Sequence, residues 1–166
     1  MPPIKITLVL LALFWPGFGP AGAEESAFSV TLAGLDGQKA VLTLADLDSL
    51  PRIKFSAMQH RASHEFEGAL IGDVLAKVGA PAGKAMRGQE LADVIVIEAR
   101  DGYKVALDLA GTDPAMRASA RVILADRMDG KPLDASTGPF QLVVEGDLRP
   151  ARAVRMVSAI RLDRVR

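Results

Sequence analysis

Apolar and polar residues alternate over Phe28-Ser-Val-Thr-Leu32, a period of two that predicts a strand. Gly34-Leu-Asp-Gly37 is a turn signal, and Ala40-Val-Leu42 predicts the returning strand. Thr43 is placed to cap a short helix over 44–50, with Asp46 at the capping-box position and Pro51 as its stop. Alternation returns at Arg52–Met58 and predicts another strand, whereas residues 59–67 are polar and predict a loop. Leu70, Ile71, Val74, Leu75 and Val78 share one helical face over 69–78, and Gly79 ends it. Val94-Ile-Val-Ile97 is a continuous apolar run that fits a buried strand. Asp101-Gly102 is a hairpin signal from which Tyr103-Lys-Val105 returns. Residues 108–118 read as loop or short helix. Strands are predicted at 121–125, 140–144 and 153–162, with a turn at Met128-Asp-Gly-Lys131. Seven or eight short strands with two or three short helices predict an α+β domain built on a mixed or antiparallel sheet.

The start of the chain has a different pattern. One positive charge, Lys5, precedes an apolar run Ile6–Phe14, and Ala21-Gly22-Ala23 offers a small-residue cleavage site before Glu24-Glu25. That three-part layout predicts a secretory signal peptide over 1–23, too short in its apolar run to span a membrane. The expectation is an exported, periplasmic protein with a single domain over 24–166. Gly17-x-Gly19-x-x-Gly22 lies inside this leader with no βαβ unit around it, so it is not a dinucleotide fingerprint.

Composition narrows the chemistry. Twenty Lys and Arg balance twenty Asp and Glu, which removes bulk charge as a route to nucleic acid or a membrane surface. Three of the eight aromatic residues, Phe14, Trp15 and Phe18, lie in the leader, so a stacking platform for single strands is not expected. There is no cysteine, and therefore no disulfide, thiolate metal ligand or cysteine nucleophile. His60 and His64 are the only histidines and are spaced as i, i+4. On a helix that spacing could hold a metal, but the segment reads as loop and no third ligand is fixed. Ser56 with His60 has no G-x-S-x-G context, so hydrolase chemistry is not expected. The last eighteen residues hold six arginines, at 149, 152, 155, 161, 164 and 166. Arginine suits bidentate recognition of phosphate or carboxylate, while a basic edge strand that resists aggregation is the plain alternative.

Several segments carry a family pattern. Phe66-Glu-Gly-Ala-Leu-Ile-Gly-Asp-Val-Leu75 has an aromatic, then x-Gly-hydrophobic, then Asp before two apolar residues. Ala99-Arg-Asp-Gly-Tyr103 contains an Asp-Gly-Tyr hairpin. Leu124–Leu133 joins leucine-alanine to Asp-Gly-x-Pro-Leu. Gly138-Pro-Phe-Gln-Leu-Val-Val144 reads Gly-Pro-x-Arg-Leu-Val-Val with Gln141 in place of arginine, and Ala151-Arg-Ala-Val-Arg155 is a basic closing segment. In this order, from about 28 to 162, the segments resemble the molybdopterin-binding domain of sulfite-oxidase-like proteins.

The resemblance implies the sulfite-oxidase-like fold, a pterin-shaped pocket, and basic residues near a cofactor phosphate. The family's enzymes hold molybdenum with a cysteine about twelve residues before the glycine that Gly68 matches. Here that neighbourhood is Phe55-Ser56-Ala57, and a serine is not an equivalent soft ligand. The C-terminal dimerisation domain of the full enzymes is also missing from the pattern. The expected function is a non-catalytic periplasmic pterin-binding protein that passes occupancy to a membrane-bound partner, such as a cyclic-dinucleotide signalling protein. Two alternatives stay open: a molybdopterin-dependent oxidoreductase or its subunit, and a structural or assembly protein with an empty pocket. The candidate ligand residues are Ser56, His60, Arg61, His64, Tyr103, Arg152 and Arg155. If 152–155 is strand, an offset of three sends Arg152 and Arg155 to opposite faces, and the hydroxyl of Tyr103 has a core position as its alternative.

Overall fold

A computed structural model describes residues 29–118 and 121–165. The leader assigned to residues 1–23 lies outside them. Among the described residues ten strands form two sheets. In the first, β2 (Lys39–Thr43), β1 (Ser29–Ala33), β10 (Val157–Arg164), β5 (Asp93–Ala99) and β6 (Lys104–Asp108) lie in that order. In the second, β3 (Arg52–Gln59), β4 (Ala62–Leu70), β7 (Val122–Met128) and β8 (Lys131–Pro132) are consecutive, and β9 (Gln141–Val144) also pairs with β7. Only β1 and β10 run parallel among the named pairs; the rest are antiparallel.

Among the described residues two short α-helices lie beside the sheets, α1 (Leu44–Asp48) and α2 (Ile71–Leu75). Thr43 caps α1 with the full capping box, its side chain taking the Asp46 N–H while Asp46 takes the Thr43 N–H. The helix predicted over 69–78 starts two residues later, because Ala69 and Leu70 complete β4, and its last turn tightens to 3-10 geometry at Ala76–Val78. Among the described residues no helix is long and apolar enough to cross a membrane.

The larger hydrophobic cluster lies between the sheets, uniting Val30, Leu32, Ile95, Ile97 and Ile160 with Leu124, Leu142 and α2. The inward residues of the first sheet alternate with outward ones, as a half-buried sheet requires. The second sheet behaves otherwise. Val122–Ala125 and Leu142–Val144 are buried on both faces. Leu124 joins the larger cluster, while Ile123, Ala125 and Val143 join Phe55 and Phe66 in a second one. The β3–β4 hairpin therefore curls over β7 and β9. A register shift between Glu67 and Gly68 supplies the bend. Gly68 permits it: a Cβ there would collide with the Leu124 carbonyl.

Two further sequence expectations change, and the 108–118 reading of loop or short helix holds. Residues 62–67 are strand, not loop; Glu65 and Glu67 face Lys54 and Arg52 on the outer surface, so a charged face masks the alternation. Residues 153–156 precede the last strand rather than belonging to it, since a 3-10 turn at Pro150–Arg152 and the isolated Leu142–Val154 bridge occupy that stretch. The 108–118 segment contributes one 3-10 turn, Ala110–Thr112.

Candidate functional site

Alternation along β3 decides which residues reach the interior. Phe55, Ala57 and Gln59 point into the curl, and Lys54, Ser56 and Met58 point out. Gln59 ends the strand and opposes Ala62, so the turn is only His60-Arg61. Both residues are left-handed, with φ of 50° and 67°. Paired positive φ suits the twist of a two-residue hairpin, yet glycine or asparagine is the usual occupant.

This tip meets two other segments. The β5–β6 turn brings Ala99, Asp101 and Tyr103, and the connection after β9 brings Pro150, Ala153 and Arg155. Together with Gln59, His60 and Gln141 they line a cleft of about 280 Å³. Asp101 fixes the turn by accepting the Tyr103 N–H at 2.9 Å, and the Tyr103 hydroxyl donates to the Ala151 carbonyl at 2.6 Å. The ring of Tyr103 thus ties the turn to the connection, half exposed rather than in the core. The Arg100 guanidinium donates to the Gly138 carbonyl at 2.6 Å, holding the start of β9 against the same turn.

The floor is a pair of buried amides. Gln141 Nε2 donates to Gln59 Oε1 at 2.8 Å. Gln141 Oε1 has no hydrogen-bond partner although the residue is 1% exposed. A buried carbonyl oxygen without a protein donor is uncommon in folded proteins, and this one belongs to a residue that lines the cleft.

Of the seven candidate residues, the structure brings three together in this cleft: His60, Tyr103 and Arg155. Ser56 is on the outward face of β3, one parity step from the cleft side. Arg61 is exposed at the hairpin tip. The His64 Nδ1 is 2.7 Å from Asp129 Oδ2, and that hydrogen bond, with the Glu65 N–H, lowers the Asp129 carboxyl below the usual aspartate range. His60 and His64 are thus on separate segments, and among the described residues no cluster of three metal-ligating side chains forms. Arg152 turns away from the cleft and is held by both carboxylate oxygens of Asp147. Arg121 is similarly engaged by Glu145 beside it. Gln141 was missing from the candidate set, although the Gln at the arginine position of the Gly-Pro-x-Arg pattern signals it; Gln59, next to the candidates His60 and Arg61, reaches the cleft by parity along β3.

Residues 18–165 match the family model described as the oxidoreductase molybdopterin binding domain. Among solved structures, the fold is similar to the sulfane dehydrogenase SoxCD from Paracoccus pantotrophus, with a TM-score of 0.61 at 17% sequence identity. The similarity covers 87% of this chain and 40% of that one, so this chain spans well under half of the longer protein. No curated protein matches the sequence. Together the two sheets and the helices form the sulfite-oxidase-like fold.

The cleft fits the organic part of such a cofactor. The unpartnered Gln141 oxygen suits a ring edge bearing N–H groups, and Arg155 at the lining suits an anionic tail. The donor set does not supply a protein sulfur to a metal, because the chain contains no cysteine. By its fold and by a match over nearly its whole length, this chain belongs to the oxidoreductase molybdopterin binding domain family.

Proposed function

We propose that this chain is a periplasmic binding protein for a pterin, which it holds in the cleft between Gln141 and Arg155 without turnover at a metal. The observation that carries this reading is a cleft lined by polar residues from separate segments, among them Gln141 with a buried amide oxygen that has no protein partner, in a chain that offers no thiolate. Pockets for small ligands combine an apolar wall with a few placed polar groups, and Ala99, Pro150 and Ala153 supply the apolar part here. The metal-loaded cofactor supplies redox chemistry when bound. The residues of this chain bind the ring edge, orient it against Tyr103 and neutralise an anionic tail.

Binding alone becomes a signal when a partner prefers the occupied state. The partner we propose is a membrane-bound sensor, of the cyclic-dinucleotide kind that the resemblance implies, with export directed by residues 1–23. The second reading is a molybdopterin-dependent oxidoreductase or its subunit. It is favoured by the extent of the family match, which runs over residues 18–165.

The deciding experiment is metal analysis together with small-molecule mass spectrometry on protein purified from its native cells. A released pterin with molybdenum far below one atom per chain supports the binding reading. Stoichiometric molybdenum with turnover of an oxidisable substrate overturns it in favour of the enzyme. Neither pterin nor metal, with a stable protein complex instead, overturns both and leaves an assembly role.

A further inference from the structure

Gln141 stands at the first position of β9, where its side chain lies on the same concave face as Val143 and the inward residues of β3. Its amide nitrogen is already used, donating to Gln59 Oε1. Its amide oxygen accepts nothing from the protein. The neighbouring donors are committed elsewhere: the Tyr103 hydroxyl to Ala151 and an Arg100 Nη2 to Gly138. His60 and Arg155 line the cleft without donating to this oxygen. Gln141 lines the cleft, so a donor that enters there is placed to meet this oxygen.

Resting on the pterin reading, we infer that Gln141 determines which edge of the ring is buried and which heterocycles are accepted. The edge carries the exocyclic amine, whose N–H donates to Gln141 Oε1. A heterocycle with a carbonyl in place of that amine sets two acceptors against each other and is rejected. Sites built to hydrogen-bond a ligand N–H discriminate strongly against the analogue lacking it, because the site's own polar atom is then left unpaired. The Gln59 carbonyl assists by holding the Gln141 amide in the orientation that leaves an oxygen, not a nitrogen, facing the ligand.

The test is a fluorescence titration of the purified full chain with pterin and with lumazine, in which a carbonyl replaces the exocyclic amine. Wild-type protein is expected to bind pterin at least about tenfold more tightly. Gln141→Leu should lose most of that preference, bringing the two ligands within about threefold. Gln59→Leu, which keeps the Gln141 oxygen but frees its amide to rotate, should keep a weaker preference for pterin. The wild-type comparison stands alone if a variant does not fold. Equal binding, a preference for lumazine, or a preference that survives Gln141→Leu overturns the assignment of Gln141 while leaving pterin binding intact. No binding of either ligand overturns the pterin reading and this inference with it.

Discussion

Thr43 and Asp46 hold each other across the first turn of α1. The Thr43 hydroxyl donates to Asp46 Oδ2 at 2.7 Å and the Thr43 N–H does so at 2.9 Å. These bonds, with help from Lys77, lower the Asp46 carboxyl from the ordinary 3.8 to about 2. A carboxylate whose folded pKa is depressed stabilises the fold above its unfolded value, and the contribution is lost as pH falls through the folded value. Here the loss runs from about pH 4 down to about pH 2. Thr43→Ala should cost about 1 kcal/mol at neutral pH by urea unfolding, and less once Asp46 is protonated, when only the bond from the Asp46 N–H to the Thr43 hydroxyl is still at stake. The capping box was legible in the sequence because all its partners lie within four residues. Gln141 was not, because nothing near position 141 says that its amide meets residue 59 across the curl.

Among elements, the β3–β4 hairpin carries most of the site. Its curl depends on the bulge at Glu67–Gly68, and no side chain fits at Gly68 against the Leu124 backbone. Gly68→Ala should destabilise the protein by about 3 kcal/mol or more, as overpacking against fixed backbone does, read as a lower urea midpoint. The bond from the Tyr103 hydroxyl is one of those that tie the opposite wall, beside that from Arg100 to Gly138. Tyr103→Phe keeps the ring but releases Ala151, so it should weaken ligand binding several-fold in a titration while changing stability by about 1 kcal/mol or less. The turns of this wall were readable, since Asp101-Gly102 is local chemistry. The second strand of the hairpin was not, because the charges of Glu65 and Glu67, balanced only across the strand by Lys54 and Arg52, resemble a solvated loop in one dimension.

At the scale of the whole molecule, the parallel pairing of β1 with β10 joins the two ends of the described chain in one sheet. The cleft then opens where three connections from both sheets meet. Such a site is read poorly from sequence, as its residues come from around 59, 101, 141 and 155 and share no local pattern. Arg152 and Arg155 show the difficulty. They are three positions apart, yet one is clamped by Asp147 and the other lines the cleft. Arg155→Ala should weaken binding of a carboxylated pterin by about tenfold at low salt, with a smaller effect at high salt. Arg152→Ala should leave that affinity within about twofold, as measured in the same titration.

The hairpin tip places two side-chain-bearing residues, His60 and Arg61, in a backbone region where glycine is at ease. Selection for heat resistance alone would drift toward glycine at both positions. The survivors would be sturdier molecules that no longer present an imidazole to whatever occupies the cleft.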